Sequence, residues 1–209
     1  MITANTPEWF EARCGKVSAS RAYDVCARQK SGKPYASRGQ YLVELATERL
    51  TGVVTEHFVT AAMQWGTDHE PAARAAFELL YNVQVEPVGW VDHPTIDGAG
   101  ATPDGKAGQW LVEFKCPTSF THVETLLAGE IPPRYMAQMD FQLACCPWAA
   151  GAMFASYDPR LPAHLRLWMA RWPRDEERIA VLEHDINEFL DELADTVGAL
   201  REPRAEVAA

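Results

Sequence analysis

Apolar residues recur at three- and four-residue intervals toward both ends of the chain and fall into short continuous runs between them. Thr6-Pro7-Glu8 predicts a helix start: a cap, a proline at the first position, then an acid near the positive end of the dipole. That helix should end near Gly15, and Ser18 or Ser20 should cap a second through about Cys26. Residues 29–34 read as a loop. Ser37 should cap a third helix, with Tyr41, Leu42, Leu45 and Leu50 at helical spacing and Gly52 as its stop. A longer helix is expected over 61–81, with Pro71 marking a bend or a restart.

The period then changes. Val83, Val85, Val88, Trp90 and Val91 suggest a strand, and 98–105 is turn-rich. Trp110-Leu111-Val112-Glu113-Phe114-Lys115 is a strand by its branched and aromatic content. A helix over 133–145 and strands over 151–157 and 165–172 follow. The expectation closes with an amphipathic helix over 176–200, carrying Ile179, Leu182, Ile186, Phe189, Leu190, Leu193 and Val197 on one face. Helices thus flank a small group of strands, a mixed α/β class. One domain over 1–209 is expected, with the last helix at 175–201 and an Ala/Glu-rich tail at 202–209.

Composition narrows the picture. At 209 residues and 47% hydrophobic, the chain can bury a core and is too apolar for disorder. Five cysteines (Cys14, Cys26, Cys116, Cys145, Cys146) form no CxxC pair, which fits free thiols in a reducing compartment. The N-terminus carries no signal-like segment and no apolar run approaches membrane-spanning length, so a soluble, cytoplasmic protein is expected. A net charge of −10 argues at first against a nucleic-acid partner. Its distribution reverses that: seven basic residues and one acid lie between Arg13 and Arg38, and eleven acids against three arginines lie from Asp175 onward. Both blocks can be ordinary solvated faces, but the basic one, on a loop between short helices, is also placed to meet phosphate.

The chemistry centres on Thr102-Pro103-Asp104-Gly105 and Glu113-Phe114-Lys115. Pro-Asp-Gly alone is a common turn. Glu-x-Lys on a strand says more, because Glu113 and Lys115 project from one face while Phe114 enters the other layer. Charges on an otherwise apolar strand need partners. Asp104 and Glu113 suit a hard divalent cation, most naturally Mg²⁺ with Mn²⁺ as a substitute, and the Phe114 carbonyl and Glu70 are further candidate ligands. Two such ions would polarise a phosphodiester and steady the leaving oxygen, with Lys115 orienting or deprotonating water or stabilising developing charge. A structural salt bridge is the competing reading.

Several segments together resemble the phage lambda exonuclease / YqaJ-type viral recombinase family of the PD-(D/E)xK nuclease superfamily. They are Trp9-x-x-x-Arg13-x-Gly15 with Ser18-Ala19-Ser20, Trp65-Gly66-x-x-x-Glu70, Thr102-Pro103-Asp104-Gly105, Glu113-Phe114-Lys115-Cys116-Pro117, Tyr135-Met136-Ala137-Gln138 and Tyr157-Asp158-Pro159-Arg160. The resemblance spans Trp9 to about Arg160. It implies a restriction-endonuclease-like core with a central mixed β-sheet. Asp104, Glu113 and Lys115 would be catalytic, with Glu70 at the metal site and Gln138 positioning water or the lysine. Arg13, Ser20 and Thr102 would receive a 5′-phosphate, Thr102 taking the place of the family's usual serine. Met63 falls at the position of an apolar wedge between strands, though a core methionine suits the pattern equally, and Lys30 and Lys33 at a loop touching duplex DNA.

The activity implied is 5′→3′ exonucleolytic digestion of linear double-stranded DNA, releasing mononucleotides and leaving a 3′ single strand. A toroidal homotrimer, a single-strand annealing protein as partner and a phage or prophage origin in a bacterial host are implied with it. Rival readings are another PD-(D/E)xK endonuclease or a catalytically silent DNA-binding module. The four-cysteine iron–sulfur variant is excluded by the spacing. His69 reads as a surface or supporting residue, and Cys116 as packing.

Overall fold

A computed structural model describes residues 2–55 and 58–202. Helix α1 (Pro7–Arg13) starts as expected, with the Thr6 hydroxyl accepting the Trp9 N–H. Strand β1 (Val17–Ser18) and a single 3₁₀ turn (Ala19–Arg21) lead into α2 (Ala22–Cys26). Helices α3 (Ala36–Thr51) and α4 (Ala61–Tyr81) follow, and Pro71 lies inside α4 without ending it. Next come β2 (Val91–Asp92), β3 (Ala99–Ala101), β4 (Gly105–Ala107) and β5 (Trp110–Lys115). Helices α5 (Ser119–Ala128) and α6 (Pro133–Cys145), strands β6 (Gly151–Tyr157) and β7 (Leu167–Pro173), and α7 (Glu176–Arg201) complete the order.

Four expectations change. Ser37 does not cap α3: Tyr35 occupies the cap position and makes no side-chain cap bond, whereas Gly52 does end the helix in the left-handed region. Neither serine caps α2 by its side chain; the Ser18 and Ser20 hydroxyls face each other at 3.2 Å. The strand expected over 83–91 shrinks to β2 and one bridge between Glu86 and Lys106. The turn-rich segment 98–105 contains β3, because Ala99 and Gly100 pair in parallel with β1. The tail expected at 202–209 lies outside the described residues from 203 on.

The strands form two sheets, β1-β3-β2 and β4-β5-β6-β7. In the larger, β5 and β6 are parallel and both edges antiparallel, so the sheet is mixed. Alternation along β5 divides the core. Leu111 belongs to the cluster with α6 and α7, where the seven predicted apolar residues of α7 are buried. Val112 and Phe114 join Ala73 and Phe77 of α4 on the other face. Glu113 and Lys115 are therefore turned toward α6. Fully burying each large apolar side chain contributes about 1.5–3 kcal/mol, so the helices clamp β5 from both sides. Among the described residues no helix is long and apolar enough to cross a membrane.

Gly100 shows how tightly the smaller sheet is built. A Cβ there would meet the Trp90 ring and the Val91 carbonyl oxygen. Trp90 fills the space that a side chain on β3 would otherwise take, and it lines the cavity described below. Gly100→Ala is expected to destabilise the protein by about 1–3 kcal/mol through overpacking, read from the midpoint of urea unfolding.

Candidate active site

Asp104 occupies the turn between β3 and β4. Its Oδ2 accepts the Phe114 N–H at 2.7 Å, and its carbonyl accepts from Arg74 of α4 at 2.5 Å. The turn is thus tied to β5 and α4 together, which sets Asp104 beside Glu113. Glu113 has no exposed surface. Its Oε1 accepts Gln138 Nε2 at 2.6 Å and lies 2.5 Å from Lys115 Nζ, while its Oε2 accepts Gln142 Nε2 at 2.6 Å. Gln138 and Gln142 are one helical turn apart on α6, so both amides reach the same carboxylate.

Charge repulsion adds to burial here. Burial raises the Asp104 carboxyl well above its ordinary value; Glu113 and Glu70 add to this, and Lys115 and the Phe114 N–H oppose it. Glu70 is also raised, by burial and by Glu113, against the pull of Arg74 and Lys115. Burial alone would favour the neutral amine of Lys115, but Glu113 and Asp104 outweigh it and hold the group above the usual lysine value. Lys115 therefore stands as an ammonium, which suits stabilising negative charge better than removing a proton.

The phosphate-receiving residues come from another part of the chain. Gly15, in the left-handed region, donates its N–H to Glu48 Oε2 at 2.8 Å and accepts Arg49 Nε at 2.8 Å. A Cβ on Gly15 would run into Arg49, so glycine is required where α1 turns back on α3. This anchors Arg13, whose guanidinium lies 4.4 Å above the Trp9 ring. Trp9 Nε1 donates to Thr102 Oγ1 at 2.8 Å. The Thr102 oxygen is thereby occupied as an acceptor, leaving its own proton for another acceptor.

One cavity of about 260 Å³ is lined by Arg13, Ser20, Thr102, Glu70, Asp104, Glu113, Lys115 and Gln138. All the expected catalytic and phosphate-binding side chains are thus brought together. A neighbouring cavity of about 490 Å³ shares Glu70, Asp104 and Lys115 and is also lined by Met63, the Phe114 residue, Arg134 and Tyr135. Met63 is 53% exposed at the mouth, so it is not a core methionine. Lys30 and Lys33 lie on an exposed loop closed by a bridge between Arg28 and Pro34 and line neither cavity.

The two charge blocks are not separate. Arg28 pairs with Asp185 at 3.0 Å and Arg38 with Glu192 at 2.6 Å, so part of the basic segment is neutralised against α7. Lys16 pairs with Asp92, and Arg21 with Asp24 and Glu44. Among the described residues, Arg13, Lys30 and Lys33 of that segment have no carboxylate partner.

Other side chains sort as follows. His69 stacks on Trp65 with centroids 3.6 Å apart and faces the Trp65 carbonyl rather than the cavity. Burial pushes the Cys116 thiol up to about 12, which suits a packing role. Gln142 was not expected, although its spacing of four from Gln138 was a usable signal. Among the described residues its buried Oε1 has no hydrogen-bond partner, which costs about 1–3 kcal/mol. Arg74, Arg134 and the roles of Trp9 and Tyr135 were likewise missed. The Tyr135 ring lies 5.2 Å from Lys115 Nζ.

The donor set around Asp104 is oxygen-rich and fits a hard cation. Among the described residues no three carboxylate, imidazole or thiol groups form a ready-made cage. Mg²⁺ needs none, since it is held by one or two carboxylates and completes its shell with water and substrate phosphate.

The class is defined by comparison with solved structures. An alkaline exonuclease from Laribacter hongkongensis, LHK-Exo, is 43% identical over 94% of this chain and 96% of its own, with a TM-score of 0.86. Its complex with dAMP matches over the same shares with a TM-score of 0.87. A phage-related exonuclease from Haemophilus somnus 129PT, 14% identical over 88% of this chain and 96% of its own, shares the fold with a TM-score of 0.68. The architecture is therefore that of the alkaline exonucleases. Residues 8–152 match the YqaJ-like viral recombinase domain, and the chain belongs to that family. Comparison with curated proteins finds no match.

Proposed function

We propose that the protein is a Mg²⁺-dependent 5′→3′ exonuclease on linear double-stranded DNA, releasing 5′-mononucleotides and leaving 3′ single-stranded ends. The observation that carries this reading is the single cavity joining Arg13, Ser20 and Thr102 to Asp104, Glu113 and Lys115. A site that cuts within a strand has no need of a receptor for a terminal phosphate beside its catalytic carboxylates. A silent binding module has no need of an ammonium held against three carboxylates.

Asp104, Glu113 and the Phe114 carbonyl would hold the cation, with Glu70 beside them; Mn²⁺ is the expected substitute and two ions per site the expected number. When bound, the cation supplies Lewis-acid activation of the phosphodiester and of water. The chain's own residues do the rest. Arg13 offers a planar guanidinium and Ser20 and Thr102 offer hydroxyls to the terminal phosphate, which sets the first phosphodiester over Asp104 and Glu113. Lys115 stabilises the charge that develops on the phosphoryl oxygens. Met63 and the basic Lys30 and Lys33 are assigned to the duplex. A toroidal homotrimer working with a single-strand annealing protein, in the cytoplasm of a bacterial host of phage or prophage, belongs to the same proposal.

The test is incubation with linear and covalently closed circular duplex, with Mg²⁺ or with EDTA. Linear DNA should be digested to mononucleotides only with Mg²⁺, and closed circles should survive. Degradation of closed circles would favour an endonuclease and overturn the reading.

A further inference from the structure

We infer that Gln142 is a positioning residue that fixes the Glu113 carboxylate for a divalent cation; this rests on the metal-dependent reading above. An ionised carboxylate offers about four lone-pair directions. On Glu113 three are taken: two on Oε1 by Gln138 and Lys115, and one on Oε2 by Gln142. A single direction on Oε2 is left for a cation.

Gln138 and Lys115 both hold the same oxygen, so together they make a pivot rather than a clamp. The terminal torsion of a glutamate is broad, and a carboxylate held at one oxygen can swing about it. The second point of attachment, on the other oxygen, comes from Gln142 alone among the described residues. The orientation of the Gln142 amide follows, because its carbonyl oxygen facing Oε2 would set two acceptors together.

Its environment argues against a packing role. Gln142 has no exposed surface, sits on a stretch of α6 that is buried throughout, and among the described residues leaves its own Oε1 without a partner. An apolar side chain of similar volume would fill that site without an unsatisfied acceptor. What leucine would not supply is the donor to Glu113.

The experiment is calorimetric titration of the full, DNA-free chain with Mn²⁺, alongside thermal melting. Outer residues that orient a ligand typically change metal affinity by about 10–100-fold, so Gln142→Leu should weaken Mn²⁺ binding by about tenfold or more. It should melt somewhat below wild type, because buried Glu113 Oε2 loses its donor, but no further below than Leu143→Ala. Gln142→Met, unbranched and also lacking a donor, should do the same, and either variant serves if the other packs poorly. Leu143→Ala is the control, a buried neighbour on α6 that does not reach Glu113; it should melt earlier but bind Mn²⁺ about as wild type does. The inference is overturned if Gln142→Leu binds Mn²⁺ like wild type, or if Leu143→Ala weakens binding as much. If wild type itself binds no Mn²⁺, it is the metal-dependent reading that fails, and the role of Gln142 goes with it.

Discussion

Lys115→Ala should reduce hydrolysis of linear duplex DNA by about 10²–10³-fold while leaving the protein folded, a loss typical of removing one group that stabilises transition-state charge. The structure explains why the effect should fall on turnover. Lys115 is held as an ammonium 2.5 Å from Glu113, and Asp104 adds to its hold on the proton. Removing it leaves Asp104, Glu113 and Glu70 facing one another with less positive charge between them, and the carboxyls of Asp104 and Glu70 are already raised by burial and by like charge. A raised carboxyl favours the folded state most when protonated, so the variant should lose stability as pH rises from the ordinary carboxyl range through the raised values of Asp104 and Glu70. Mg²⁺ should restore part of that stability without restoring the rate. Single-turnover digestion at saturating Mg²⁺ and thermal melting at two pH values read the two effects apart. A variant that cuts DNA at the wild-type rate would return the site to a structural ion pair.

Much of this centre was legible because it depends on short-range geometry. Glu113 and Lys115 share a face through strand alternation alone, and the bounds of α4, α6 and β6 follow from hydrophobic period and from end signals such as Pro133 and Gly151. What escaped depends on contacts that spacing does not encode. Helix α5 was missed because its amphipathic pattern is inverted: it buries His122 and Thr125 while exposing Phe120 and Leu127. His122 is satisfied inside by the Ser156 hydroxyl at 2.7 Å and the Leu165 carbonyl at 2.8 Å, partners far along the chain. Strand β3 read as turn because Gly100 is small, yet it is small to admit Trp90. Separate basic and acidic blocks looked independent until Arg28 met Asp185, 157 residues away.

The second large effect concerns how the site selects an end. Wild type should digest 5′-phosphorylated duplex faster than 5′-hydroxyl duplex, and Arg13→Ala should abolish the difference. A hydrogen bond to a charged group contributes about 1.5–3 kcal/mol, so losing Arg13 should cost about 10–100-fold in kcat/KM on phosphorylated ends. Hydroxyl ends, which present no terminal dianion, should be cut by the variant nearly as by wild type. Arg13→Lys should recover only part of the preference, because an ammonium cannot reproduce the planar fork of guanidinium. Thr102→Val should lower it less, since it removes one hydroxyl and leaves the guanidinium stacked on Trp9. Rates on matched duplexes differing only in the 5′ group, at one fixed salt concentration, separate these outcomes from general weakening of DNA binding, which would slow both substrates alike. If Arg13→Ala kept the full preference, the terminal phosphate would have to be received elsewhere, and the cavity shared by Arg13 and Asp104 would no longer explain why cutting starts at an end.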